Sequence, residues 1–384
     1  MFLVAGCGGG PPAAASPAPT RIPFPAVAGE YRTSDGDAYV VNGVGHLVRL
    51  DDGWIRQLYP SPSPSRFTFG PSFEVGTPAR GDVQFHLAAG RADSLALGAA
   101  GNPRVSADRV LFKETDVQFK AADGVTLAGT ITEPSTTGPH PAIVVIHGSE
   151  PGTRVLYGVW AGLYAGLGFT VLIYDKRGNG ESGGVFPGDN SEPSSLNTFA
   201  GDAASAARFL AAWPGVDPRR VGFHGGSQGG WTVPLAIQRF RSAAFAVLLS
   251  GPAVSVGQQT VWSLASGDAS YIPTEPAEQI DSEMRRAAGV GYQPGPALRT
   301  LTQPVLWLNG ANDRRVPTAL TDEILLGMHK PNFVVGVLPG VGHGLLENAT
   351  GLDAEDANAD HLAPELFTRM AAWLASIAGT SPRP

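Results

Sequence analysis

A chain of 384 residues, 43% hydrophobic and 16% charged, can build one large core plus an accessory unit, and this composition excludes a disordered or coiled-coil protein. Its formal charge of -7, with no run of Lys or Arg, offers no footprint for a polyanion and excludes nucleic acid as a partner. The single cysteine, Cys7, rules out an internal disulfide, a cysteine-ligated metal centre and a cysteine nucleophile in the folded part.

Taken in chain order, Val4-Ala5-Gly6-Cys7 resembles a bacterial lipobox, and residues 8 to 25 are almost all Gly, Pro, Ala, Ser and Thr, the composition of a flexible tether. The resemblance implies lipidation at Cys7 and a place in the cell envelope or outside the cell. Only six residues precede Cys7, so residues 1–25 read as a truncated export signal and a linker. No run of about 18 apolar residues follows, and no membrane span is expected.

Residues 26–113 alternate in short runs, such as Ala38-Tyr39-Val40-Val41, His46-Leu47-Val48-Arg49-Leu50 and Val83-Gln84-Phe85-His86-Leu87, punctuated by Gly, Pro, Ser and Asp-Gly. They predict hairpins of a small β-rich domain. Trp54, Tyr59, Phe67, Phe69 and Phe73 are read as its core.

From residue 114 the pattern changes. Two alternating runs flank Asp123-Gly124, a hairpin signal. Ala142-Ile143-Val144-Val145-Ile146 is then apolar without a break, as a strand covered on both faces must be. Helices near 155–167, 199–213 and 228–240 alternate with strands at 170–174, 220–224 and 244–249, which predicts a parallel sheet with helices on both sides. Between 252 and 302 the alternation stops, and a helix-biased insertion, with a helix at 275–288, reads as a cap over a site. Strands at 305–308 and 333–338 and a helix at 364–377 complete an α/β domain spanning 114–384.

Gly225-Gly226-Ser227-Gln228-Gly229-Gly230 lies directly between an apolar strand and a helix, the context that gives GxSxG its meaning. The sharp turn exposes the serine hydroxyl, a weak nucleophile that needs a neighbouring base and a third group to orient that base. Asp313, after the strand ending at Leu308, and His343, after the strand ending at Leu338, follow in the order serine, acid, histidine, each at the carboxyl end of a strand. Of the other histidines, His224 lies on the strand before Ser227 and is read as packed, while His329 and His361 are placed on helical surfaces.

Ile146-His147-Gly148-Ser149-Glu150-Pro151 resembles the HG-type loop of the α/β-hydrolase superfamily, and the resemblance implies an oxyanion hole made by the N–H groups of Ser149 and Gln228. Glu150, where many relatives carry glycine, is expected to turn away from a developing oxyanion, toward Arg154. Asp175-Lys176-Arg177-Gly178-Asn179-Gly180-Glu181-Ser182-Gly183 resembles the DxRGxGxSxG loop of secreted members and is read as structural.

With HGSE, DKRGNGES, GGSQGG, the Asp313 loop and Gly342-His343-Gly344 together, the chain from about residue 116 resembles the serine aminopeptidase-like and dienelactone-hydrolase-like α/β-hydrolases. GGSQGG also occurs in acetyl xylan and cephalosporin deacetylases, and Asp313-Arg314-Arg315-Val316-Pro317 is similar to the acid loop of prolyl oligopeptidase-like peptidases. These resemblances imply hydrolysis of a small-molecule ester through an acyl-enzyme, or alternatively of short peptides, and call for no metal or organic cofactor. A non-catalytic binding protein on this scaffold would lack a member of the triad, and dehalogenase chemistry would put Asp where Ser227 stands.

Overall fold

The computed structural model describes residues 24–99 and 104–379, so Cys7 lies outside the described residues. After a one-turn helix α1 (Phe24–Val27), nine strands form an antiparallel sheet. They are β1 (Gly29–Arg32), β2 (Ala38–Val41), β3 (His46–Arg49), β4 (Ile55–Gln57), β5 (Tyr59–Pro60), β6 (Arg66–Phe69), β7 (Gly81–Ala88), β8 (Arg91–Ala99) and β9 (Val105–Arg109). Two meanders, β1 to β4 and β5 to β9, join where β1 pairs with β9. One face closes over Tyr31, Tyr39, Leu47, Phe67, Phe69 and Phe85.

A second sheet of eight strands begins with the hairpin β10 (Lys113–Lys120) and β11 (Thr126–Glu133), turned at Gly124 with φ +85°. The remaining strands are parallel: β12 (His140–Ile146), β13 (Thr170–Tyr174), β14 (Val216–Gly226), β15 (Ala246–Leu249), β16 (Val305–Gly310) and β17 (Phe333–Leu338). Their order is β10-β11-β13-β12-β14-β15-β16-β17, so the chain reverses direction across the sheet at β12, and a crevice opens between β12 and β14 at their carboxyl ends.

Helices cover both faces. α2 (Gly158–Gly166) and α10 (Leu366–Ala378) lie with one apolar core, α3 (Pro193–Ala211) and α4 (Gly229–Arg239) with the other. α3 starts six residues earlier than the apolar pattern predicts, because Pro193 suits a first helical turn, where its missing N–H has no intrahelical partner to lose. α5 (Val256–Ala265), α6 (Ala277–Arg286) and α7 (Gly295–Thr300) make up the insertion between β15 and β16. A reciprocal Ser255–Gln258 capping box starts α5. α8 (Thr318–Gly327) follows the acid loop, and a short turn, α9 (Asp353–Asp356), precedes α10. Val254, Ile280, Met284 and Leu320 seat the insertion on α8.

The first sheet is not a separate bead. All four residues of β2 are buried: Tyr39 and Val41 belong to its own core, while Ala38 and Val40 join the cluster holding α2. A Cβ on Gly162 would stand 3.0 Å from a Val40 methyl, so α2 and β2 approach as closely as glycine permits.

Candidate active site

Ser227 sits at the junction of β14 and α4 with φ +50°, a left-handed backbone that a non-glycine residue holds only under restraint. The restraint is visible: its N–H donates to Leu249 O at 2.9 Å, and its carbonyl accepts from Gly230 N at 2.9 Å. The glycines around it are not equivalent. A Cβ on Gly225 would stand 2.6 Å from a Val233 methyl, and one on Gly230 2.6 Å from the Pro252 backbone, whereas Gly226 and Gly229 have room. Gly225 therefore lets β14 and α4 close up beside the serine, and Gly230 lets α4 meet the backbone that follows β15.

β16 and β17 deliver the partners. Asp313 is fully buried; its Oδ1 accepts the N–H groups of Arg315 and Val316 at 2.8 Å each, which leaves Oδ2 to accept from His343 Nδ1 at 2.8 Å. His343 Nε2 lies 3.1 Å from Ser227 Oγ. Burial pulls the imidazole pKa down, but the charge and hydrogen bond of Asp313 outweigh burial and raise it above the ordinary histidine value. The two loops fit because position 310 is glycine: a Cβ there would come within 2.5 Å of the Val341 and Gly342 carbonyls.

The other histidines stand apart. His224 is buried against Tyr164 and held neutral, burial pushing its pKa down to about 3. His361 forms a β-bridge with Trp54, and His329 follows α8 in a left-handed turn; neither lies on a helix as predicted, because each falls where helical hydrogen bonding has ended.

Ser149 and Gln228 both line the crevice with Ser227 and His343, and among the described residues neither backbone N–H has a protein acceptor. Glu150 turns elsewhere than predicted. Its carboxylate accepts from Tyr157 OH, whose oxygen in turn accepts the Gly148 N–H at 3.1 Å. Arg154 is engaged instead by Asp175 at 3.3 Å and Glu181 at 2.5 Å, so it has no call on Glu150. The DKRGNGES loop is structural where expected: Arg177 pairs with buried Asp202 at 2.5 Å and with Asp123 at 2.7 Å.

The crevice holds about 210 Å³ and is lined further by Asn190, Ser191, Trp231, Gln259, Asp268 and Arg315. Sequence reading missed these. Asn190 and Ser191 belong to an irregular segment before α3, and Gln259 and Asp268 come from the insertion, where no motif marks a direction. Asp268 and Ala269 have φ of +54° and +71°, a strained turn that aspartate tolerates better than most residues. Arg315 lies 3.7 Å from Asp268 and pairs with Asp353, which ties the acid loop to the insertion. Among the described residues no group of His, Cys, Asp and Glu could hold a metal, and no helix is long and apolar enough to cross a membrane.

Fold and crevice define an α/β-hydrolase. Residues 160–366, more than half of the chain, match the prolyl oligopeptidase family, to which this chain belongs. An uncharacterised protein of Mycobacterium tuberculosis is 32% identical over 259 residues, 66% of this chain and 82% of its own. The uncharacterised peptidase YuxL of Bacillus subtilis is 23% identical over 330 residues, 79% of this chain and 45% of its own. A thiohydrolase of Aspergillus aculeatus is 31% identical over 118 residues, 31% of this chain and 35% of its own. Among solved structures, a Pyrococcus furiosus esterase superposes with a TM-score of 0.49 over 70% of this chain and 92% of its own, at 19% identity.

Proposed function

We propose that the chain is a serine hydrolase that cleaves small, hydrophilic carboxylic esters through an acyl-enzyme. The observation that carries this reading is the unbroken relay from Ser227 Oγ to His343 to Asp313, at 3.1 and 2.8 Å. Ser227 Oγ attacks the acyl carbon as its proton passes to His343 Nε2, and Asp313 holds the imidazole in the tautomer that can accept it. The tetrahedral oxyanion is met by the N–H groups of Ser149 and Gln228, each worth about 2.7 to 4 kcal/mol of transition-state stabilisation. His343 returns the proton to the departing alcohol. Water, deprotonated by the same nitrogen, then releases the acid.

A crevice of about 210 Å³ lined by Asn190, Ser191, Gln259, Asp268 and Arg315 supports a short, polar acyl group over a long chain. A second reading, aminopeptidase action on short peptides, is favoured by the Asp268 carboxylate at the crevice, a counter-charge for a substrate ammonium, and by membership of a peptidase family. p-Nitrophenyl acetate and butyrate assayed beside aminoacyl anilides separate the two: turnover of the esters alone is expected, and faster anilide cleavage would make the peptide reading the right one. Fluorophosphonate labelling should fall on the peptide containing Ser227 and vanish in Ser227→Ala; label elsewhere removes the assignment. The lipobox-like Cys7 supports a place in the cell envelope, which incorporation of an alkyne-tagged fatty acid into wild type but not Cys7→Ala would establish.

A further inference from the structure

One buried cation takes no part in the chemistry just described. Lys176, immediately after Asp175 in the DKRGNGES loop, is only 3% exposed, and among the described residues no carboxylate oxygen lies within 4.0 Å of its ammonium. Nζ donates instead to Gly148 O at 2.6 Å, to Glu150 O at 3.3 Å and to Gln228 Oε1 at 3.4 Å, the full complement of three for an ammonium. The rings of Phe199 and Phe186, with centroids 4.3 and 5.1 Å away, cover its remaining sides.

The choice of acceptors is informative. Gly148 O belongs to the same planar trans peptide as the N–H of Ser149, so fixing the oxygen on Lys176 fixes that N–H to point the opposite way. Gln228 is the residue whose own N–H forms the other half of the proposed hole, and Lys176 grips its side chain. The Gln228 amide completes the circuit: Nε2 donates to Asn190 O at 2.9 Å, and the Asn190 amide donates to Ser149 O. An apolar side chain could fill this space without the cost of desolvating a charge, so the charge serves the groups it holds.

We propose that Lys176 is a positioning residue that orients both donors of the oxyanion hole, through the Gly148 carbonyl and the Gln228 side chain. The proposal rests on the assignment of the Ser149 and Gln228 amides above. Its effect belongs to the transition state, because the amides are aimed at charge that exists only there. Burial lowers the ammonium pKa to about 8, Glu150 opposing. The other ionisable groups around it do not compensate its loss. His147 is held neutral, its pKa pushed down to about 3 by burial and by Lys176; Asp175 is paired with Arg154 and Arg177 with Asp202; α3 presents the Phe199 ring, and the segment before it the Phe186 ring and Asn190.

The test is Lys176→Met, which keeps length and removes the donors, assayed with p-nitrophenyl acetate and with a phenylboronic acid that forms a tetrahedral adduct on the serine. Expected are a kcat lower by roughly 10- to 100-fold, KM within about threefold of wild type, and boronate affinity reduced in proportion to kcat. Unchanged kcat and boronate affinity, with Ser227 still labelled by fluorophosphonate, overturn the proposal and leave the nucleophile standing; absence of that label in wild type overturns the reading beneath it. Should Lys176→Met fail to fold, Gln228→Leu, which keeps the backbone N–H and removes the side chain that Lys176 holds, is assayed with the same two compounds: a proportional loss of kcat and boronate affinity supports the role, and wild-type values for both refute it.

Discussion

Asp313→Asn is the substitution whose outcome the geometry specifies most narrowly. The carboxylate has two oxygens with different duties, Oδ1 accepting two backbone N–H groups and Oδ2 facing His343 Nδ1. In asparagine only the oxygen can accept, so the two backbone donors at 2.8 Å fix it in the Oδ1 position and turn the NH2 group toward the imidazole. That group donates to Nδ1, which forces the histidine proton onto Nε2, the nitrogen 3.1 Å from Ser227 Oγ. A protonated Nε2 cannot take the serine proton, so kcat should fall by ~10⁴, about 5 kcal/mol of transition-state stabilisation. The backbone bonds survive, so the melting temperature should stay within a few degrees of wild type. Steady-state kinetics on p-nitrophenyl acetate, with thermal denaturation of the same sample, measures both. A loss of activity smaller than about tenfold would refute the tautomer argument, since Asp313 is the hydrogen-bond partner of His343 Nδ1 among the described residues.

Activity should rise with pH as His343 loses its proton, with an acid limb in kcat/KM centred above about pH 6.5, because Asp313 raises that pKa. The stability linked to the same group runs oppositely: it is complete below about pH 6.5 and lost as pH rises through the folded-state value, a loss that urea midpoints across this window should register. Gly226→Ala should be tolerated within about 1 kcal/mol, whereas Gly225→Ala, driven into Val233 and Gly229, should lose about 1–3 kcal/mol and most activity; urea melts and ester turnover distinguish them. Arg177→Ala leaves Asp202 buried without its partner and should cost about 3 kcal/mol with any surviving folded enzyme retaining its KM, since Arg177 does not line the crevice. Gly162→Val should wedge α2 from Val40 and lower the melting temperature, the overpacking amounting to about 1–3 kcal/mol.

Ser227, Asp313 and His343, which the structure brings within hydrogen-bond reach of one another, are legible in the sequence because each is announced by its neighbours in the chain. An apolar strand, a tight turn and a helix flank Ser227, and strands end just before Asp313 and His343. Local sequence also carried the Asp123-Gly124 hairpin and the unbroken apolar strand β12. What could not be read depends on contacts between distant segments. Glu150 faces Tyr157 because the 3-10 turn Arg154–Tyr157 brings that hydroxyl over the loop, and nothing in the chain distinguishes Tyr157 from Arg154 as its partner. Asp268 enters the crevice from an insertion without strand or motif. Lys176 lay inside a motif read for its Asp, Arg and glycines, and only burial reveals that its ammonium has backbone carbonyls for partners.

The same distinction explains what the N-terminal sheet contributes. Its β2 strand buries Val40 against Gly162 of α2, and the Asn42 side chain meets Gly158 at the start of that helix. Tyr157, one residue before α2, accepts the Gly148 N–H and donates to Glu150. From the other side Lys176 holds the carbonyls of the same two residues. The loop that carries Ser149 is thus gripped twice, by a tyrosine whose helix is backed by the first sheet and by an ammonium rooted in the second. Loops at the ends of parallel strands are the parts of such folds freest to move. The first sheet reaches this loop only through its packing on α2, and none of its described residues lines the crevice.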